Sequence, residues 1–263
     1  MYFCELELSL IRNFEVMNIR QYLDSTYLKT AEQAGITESE SVLVAKEFIQ
    51  EAIDERFKLI MIRPDRVALA KKMITEANSN VQIGTVVDFP EGKSSLEEKL
   101  KEANQAIKDG ADDLDFVCNY EAFKNGDVDL VKNEILKCTQ LGLDNHKVVK
   151  WIIEVAALND SQIMQLSSLI KNLVITNFEE ESYSSVFVKS STGFYKTENN
   201  LPNGATVPSI ILMLENASPL PVKAAGGVRT YEEAVEMIKL GVKRIGTSGA
   251  KAIANGEKTQ NDY

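Results

Sequence analysis

The sequence has a single histidine, His146, and three cysteines, Cys4, Cys118 and Cys138, none of them close to another. Zinc and haem sites need several imidazole or thiolate groups at short spacing, so neither has a plausible ligand set here. No transition metal and no cofactor is expected. An odd, scattered set of cysteines also gives no disulfide framework and suits a reducing compartment, which makes the cytoplasm the expected location. No apolar run approaches the ~18 residues of a membrane span. Residues 1–20 carry Glu5, Glu7 and Glu15 and lack a small-residue cleavage pattern, so they do not read as a signal peptide. Basic residues are in deficit: 29 Lys and Arg against 39 Asp and Glu, a formal net charge of -10. Nucleic-acid surfaces need clustered cations to displace counterions, so that partner class is excluded. A small anionic substrate is not, because a local cationic pocket can sit on an acidic protein. No Gly-x-Gly-x-x-Gly follows the first expected strand, which removes the usual dinucleotide fingerprint.

What is present is enough for one large core: 263 residues, 44% of them apolar. Barrels of roughly 250 residues commonly form a single domain. Apolar runs of strand length alternate with longer segments of helical period, as expected of repeated βα units around a parallel sheet. The expected strands are Tyr22-Thr26, Leu59-Arg63, Val81-Phe89, Asp113-Cys118, Lys147-Val155, Ser185-Ser190, Pro221-Ala224 and Lys243-Thr247. That set predicts an α/β fold, a (β/α)8 TIM barrel over residues 21–263 with a short N-terminal extension over residues 1–20. An open doubly wound sheet would use the same units. Helix starts are predicted at Thr37 with Glu40, Ser94 with Glu97 and Thr230 with Glu233, each an S/T-x-x-E pattern ahead of apolar periodicity. Gly110, Gly142 and Gly241 fall where a left-handed residue would close a helix. The polar segment Lys196-Gly204 reads as one exposed loop.

Several expected core strands carry charge where apolar side chains belong. Side chains alternate along a strand, so Lys150, Ile152 and Glu154 share one face, and Val149, Trp151 and Ile153 share the other. The wholly apolar face must cover the helices, which turns Lys150 and Glu154 toward the barrel interior, where an ionised group is costly unless paired. One reading of those two is a structural ion pair with each other. Asp115 lies between Leu114 and Phe116, Lys189 ends the run Val186-Phe187-Val188, and Lys223 follows Pro221-Val222. Strand ends at the C-terminal side of a barrel form its catalytic face, so three lysines and two carboxylates converging there point to a functional cluster. Burial and a second ammonium both disfavour a charged lysine, leaving a neutral amine that attacks a carbonyl and forms an imine. The protonated imine is an electron sink that permits cleavage of the neighbouring carbon–carbon bond without a metal.

Gly226-Gly227-Val228-Arg229 follows Lys223, and Gly246-Thr247-Ser248-Gly249 follows the last strand. Loops after strands seven and eight of a barrel commonly bind phosphate, through backbone N–H groups and a helix N-terminus. Ser190-Ser191-Thr192-Gly193, next to Lys189, could supply more donors. A phosphorylated substrate is therefore expected.

These residues resemble the deoxyribose-phosphate aldolase family. Val188-Lys189-Ser190-Ser191-Thr192-Gly193-Phe194 is similar to its Schiff-base segment, and Val222-Lys223-Ala224-Ala225-Gly226-Gly227-Val228-Arg229-Thr230 to its second-lysine and phosphate segment. Less specific matches run in the same order through Leu23-Asp24-Ser25-Thr26, Gly84 to Pro90, Ala111 to Asp115, Lys150 to Glu154 and Arg244 to Ser248. The resemblance implies a lyase of deoxyribonucleotide catabolism that reversibly cleaves 2-deoxy-D-ribose 5-phosphate into D-glyceraldehyde 3-phosphate and acetaldehyde. It implies Lys189 as the imine nucleophile, Lys223 as the group that depresses its pKa, and Asp115 with Lys223 as managers of protons through an ordered water. It further implies phosphate contacts at Gly193, Gly226, Gly227, Arg229, Gly246 and Ser248, with Lys150 and Asp24 as supporting polar residues. Tyr263 matches a C-terminal tyrosine that assists proton transfer in some members. Dimers are common among such barrels, so a homodimer is compatible, although the sequence carries no interface signature.

The chain departs from the family at Met61, where many members have a cysteine, at Val155-Ala156-Ala157, where a threonine and a small residue are common, and at Gly249, where a second serine is common. The loop Lys196-Gly204 is also longer than usual. Rival readings are another lysine-dependent phosphosugar aldolase, a barrel isomerase or decarboxylase using the lysines as acid and base, and a catalytically inactive phosphosugar-binding barrel.

Overall fold

A computed structural model describes residues 18–198 and 201–257. Eight parallel strands close into a barrel in sequence order, each pairing with the next and the last with the first. They are β1 (Leu23–Tyr27), β2 (Leu59–Ile62), β3 (Gln82–Val87), β4 (Asp113–Val117), β5 (Val148–Ile152), β6 (Val186–Lys189), β7 (Val222–Ala225) and β8 (Arg244–Thr247). All eight expected strands are present, and the closed order excludes the open sheet. Of the expected N-terminal extension, only residues 18–20 are among those described; Tyr263 also lies outside them. No helix among the described residues is long and apolar enough to cross a membrane.

Helices between the strands begin where a side chain can satisfy the otherwise unpaired N–H groups of the first turn. Thr37 with Glu40 and Thr230 with Glu233 form reciprocal capping boxes, as expected. The box ahead of Leu96–Asp109 is one residue later than expected, formed by Ser95 and Glu98. Ser94 is unavailable because its N–H and hydroxyl both donate to Asp88, at 2.9 and 2.7 Å. Gly110 and Gly241 close their helices in the left-handed conformation. Gly142 does not. It lies inside the helix Val128–Asp144, where a Cβ would overlap Val149 Cγ2, so its role is the close approach of that helix to β5.

The main core lies between strands and helices. Ile60, Ile83, Leu114, Phe116, Trp151, Val188 and Ile245 point outward into it. Phe116 and Trp151 stack at 5.2 Å between ring centres, and the indole N–H donates to Thr139 Oγ1 at 3.0 Å. With that face committed to packing, alternation turns Asp24, Asp113, Asp115, Lys150, Lys189, Lys223 and Arg244 inward.

Candidate active site

Inside the barrel the charged side chains form one continuous network. Asp115, on β4, is its centre. Its Oδ1 accepts from Lys150 at 2.8 Å, and its Oδ2 accepts from both Lys189, at 2.8 Å, and Lys223, at 3.0 Å. Lys150 also meets Asp113 at 2.6 Å, Lys223 meets Asp24 at 2.6 Å, and Arg244 meets Asp24 at 2.6 Å. The register sets Lys189 directly beside Lys223, and Asp115 directly beside Lys150. Lys189 is the last residue of β6, at the C-terminal mouth.

Charge counting shows which group is easiest to neutralise. Among the directly paired groups, four cations (Lys150, Lys189, Lys223, Arg244) face three aspartates (Asp24, Asp113, Asp115), one positive charge in excess, with the Glu154 carboxylate acting on Lys189 from farther off. Lys189 has the weakest claim, holding one share of a single oxygen that Lys223 also uses. Burial, opposed by the attraction of Asp115 and reinforced by the neighbouring Lys223 ammonium, lowers its pKa to about 8. Lys150 goes the other way: burial disfavours its charge, but Asp113 and Asp115 outweigh that and raise its pKa. For Asp115, burial alone would raise the pKa, yet the three ammonium groups hold it well below the usual carboxylate range. Asp24 is likewise lowered, with burial overcome by Arg244 and Lys223. One amine is thus shifted toward its neutral form, while Lys150, Asp115 and Asp24 are shifted toward their charged forms.

The expected site residues converge, with three differences. Lys150 does not pair with Glu154: it belongs to Asp113 and Asp115, whereas the Glu154 backbone turns to a φ of +56° and its carboxylate accepts from Thr192. Gly246 faces the interior, where a Cβ would come 3.2 Å from Lys223 Cε, so its visible contribution is room for that lysine. The backbone N–H of Arg229 donates to the Glu233 carboxylate at 2.7 Å, so that N–H is not turned to a substrate phosphate. The glycine turns do meet. Gly193, Gly226 and Gly227 all have positive φ, a conformation glycine adopts without strain. A Cβ on Gly226 would lie 3.6 Å from Gly193 Cα and 2.9 Å from Gly204 Cα. Asn203 Nδ2 donates to Gly193 O at 3.1 Å, so the end of the long polar loop closes over these turns. Ser248 is half-buried just beyond β8.

Two members of the network escaped the sequence reading, Asp113 and Arg244. Asp113 carries a signal in hindsight, since it lies two residues before Asp115 and so on the same strand face. Arg244 opens β8 and finds Asp24 only through barrel closure, 220 residues away in sequence.

A family model described as DeoC/LacD family aldolase matches residues 27–255. A deoxyribose-phosphate aldolase from Thermococcus kodakarensis is 37% identical over 239 residues, covering 90% of this chain and 96% of that protein. Among solved structures, the aldolase QR15 superposes with a TM-score of 0.75 at 30% identity, over 91% of this chain and 95% of that one. A deoxyribose phosphate aldolase from Aeropyrum pernix, whose structure is tetrameric, gives a TM-score of 0.70 at 25% identity, over 90% of this chain and 89% of that one. On the extent of these matches, the chain belongs to the DeoC/LacD family of aldolases.

Proposed function

We propose that the enzyme reversibly cleaves 2-deoxy-D-ribose 5-phosphate into D-glyceraldehyde 3-phosphate and acetaldehyde, with Lys189 as the covalent nucleophile. The observation that carries this reading is the shared Oδ2 of Asp115, which sets the Lys189 and Lys223 amines side by side beneath the glycine turns. Neutral Lys189 attacks the C1 aldehyde of the open-chain sugar, and loss of water gives a protonated imine. A base takes the proton of the C3 hydroxyl, the C2–C3 bond breaks, and its electron pair moves into the imine to form an enamine. Glyceraldehyde 3-phosphate leaves. Protonation at C2 regenerates an imine, and hydrolysis releases acetaldehyde and the free amine. Asp115, which accepts from both Lys189 and Lys223, forms with Lys223 the relay for those protons. Lys150 and Asp24 hold that pair from behind. The phosphate belongs at Gly193, Gly226 and Gly227, with the Arg229 side chain and Ser248 at the rim.

Borohydride reduction in the presence of acetaldehyde, followed by peptide mass mapping, tests the assignment. The expected result is an ethyl group on Lys189, cleavage of deoxyribose 5-phosphate but not of fructose 1,6-bisphosphate, and full activity after chelation. Label on Lys223 alone, or activity lost to a chelator and restored by zinc, would overturn it.

A further inference from the structure

The turn after Lys189 is pinned from two sides. On one side the Ser190 hydroxyl donates to Ala225 O at 2.8 Å and accepts from Ala225 N–H at 2.9 Å, stitching the end of β6 to β7. On the other stands Glu154, two residues beyond β5 and 1% exposed. Its Oε2 accepts from the Thr192 backbone N–H at 3.1 Å and also from the Thr192 hydroxyl. That hydroxyl in turn accepts from Phe194 N–H at 3.0 Å. Glu154 thereby spends a buried carboxylate on one residue of a turn, from a φ of +56° that glycine would adopt without strain. Its Oε1 and the nearby Ser191 hydroxyl are buried without a hydrogen bond, and burial raises the Glu154 pKa against the opposing pull of Thr192 and Ser191. Such charge-assisted contacts are stronger and more directional than neutral ones. The residue they hold precedes Gly193, which lies against Gly226.

From this arrangement we infer that Glu154 is a positioning residue: acting through Thr192, it fixes the distance between the Lys189 amine and the glycine turns that receive the phosphate. The inference rests on the reading of Lys189 as nucleophile and extends it from chemistry to substrate selection. A substrate that must touch both ends needs the turn held; one without a phosphate does not.

The test compares 2-deoxyribose 5-phosphate with unphosphorylated 2-deoxyribose in Glu154→Gln, Thr192→Val, Thr192→Ser and the double variant Glu154→Gln/Thr192→Val. The KM for the phosphate ester should rise by about tenfold in Glu154→Gln and in Thr192→Val, the size of one lost charge-assisted hydrogen bond. Meanwhile kcat/KM for the unphosphorylated sugar should change by less than about threefold. Thr192→Ser keeps the hydroxyl and should keep the low KM. The double variant should be no worse than either single one, because both remove the same contact. Equal losses for both sugars, additive losses in the double variant, or a serine no better than valine would each overturn the inference and leave Glu154 as a structural group. Should Glu154→Gln fail to fold, the Thr192 pair decides alone, since it leaves the backbone at 154 untouched. The two readings fail separately. An unlabelled Lys189 in the natural protein sinks the nucleophile assignment, whereas labelled Lys189 with unchanged KM values in the variants sinks only the positioning role.

Discussion

The barrel interior has two unlike sides. Around β2 and β3 it is apolar: Leu59, Met61 and Val86 pack with Leu28, and Phe89 and Phe194 close over them. From β4 round to β1 it is ionic, with seven charged side chains between 0% and 6% exposed. The apolar side is stabilised by burial alone, about 1.5–3 kcal/mol for each large side chain, with little dependence on pH. The ionic side has the opposite character. Each buried charge loses several kcal/mol of hydration and is tolerable only while its partners remain. The two sides sit on the same strands' scaffold, and the outward faces of all eight strands pack on the helices through apolar side chains, with none of the ions among them. What the ionic side supplies is one amine held near its neutral form, and the unlike sides therefore predict unlike responses to substitution.

The largest effect should come from Lys189→Met. Activity should vanish at every pH, yet the protein should become more stable. With folded-state pKa lowered to about 8, Lys189 resists protonation in the fold but not in the unfolded chain, where its pKa is about 10.4. Below pH 8 the fold must hold an unfavourable charge, and this penalty is fully present there; it disappears as pH rises from about 8 toward 10.4. Methionine removes it and leaves three cations facing three aspartates. At pH 7 the gain should reach up to ~3 kcal/mol, raising Tm by roughly 5–10 °C, and it should shrink in melts at pH 9.5. A variant less stable than the parent at pH 7, or a difference independent of pH, would show that the ionic side is part of the fold's support.

A smaller but more specific effect is expected of Lys223→Leu. Removing that charge leaves Lys150 and Arg244 facing three aspartates, so a protonated Lys189 now balances the cluster. It also gives Lys189 sole use of Asp115 Oδ2. The Lys189 pKa should rise while burial keeps it below that of a free lysine, and the neutral fraction at pH 7 should fall about tenfold for each pH unit of the rise. Imine formation with acetaldehyde should therefore drop steeply at pH 7 and recover in part by pH 9 or above. A profile lowered in height but unmoved along the pH axis would mean that burial alone tunes the amine and that Lys223 acts in proton transfer.

Much of this was legible in the sequence, and the failures have local causes. All eight strands were foreseen, because their outward faces are continuous apolar positions. Two were drawn too long by more than one residue at their C-terminal ends, Val81-Phe89 and Lys147-Val155. In each case the strand stops before a non-glycine residue in the left-handed conformation, Asp88 at φ +55° and Glu154 at φ +56°, which composition does not announce. Ser94 and Ser95 offered two overlapping capping boxes, and only the folded position of Asp88 chooses between them. The interior charges were legible by alternation, but their pairing was not. Lys150 meets Asp113 and Asp115 across the β4–β5 register, and Arg244 meets Asp24 only when β8 closes onto β1. Which charge stands next to which is a property of barrel closure.

The smallest effect, and the one that tests the apolar side directly, is expected of Met61→Leu. Met61 is fully buried, and its methyl end fills space that Gly84 leaves open: a Cβ there would come 2.5 Å from Met61 Cε. The thioether is a flexible filler, and leucine offers nearly the same volume with a branch where methionine has a chain. Volume-conserving exchanges of this kind cost under about 1.5 kcal/mol when neighbours can adjust, and Leu28, Leu59 and Val86 are themselves aliphatic. Among the described residues no hydrogen bond or ion pair reaches the side chain, so neither the pKa of Lys189 nor the relay through Asp115 should move. The pH profile of deoxyribose 5-phosphate cleavage should therefore overlay that of the parent, with kcat/KM within about threefold and a Tm lower by no more than roughly 3–6 °C. Activity reduced more than about tenfold at an unchanged melting point would carry a different message. It would place Met61, through Phe89 and Phe194 above it, against the substrate, and the apolar side would then have to be counted as part of the binding surface.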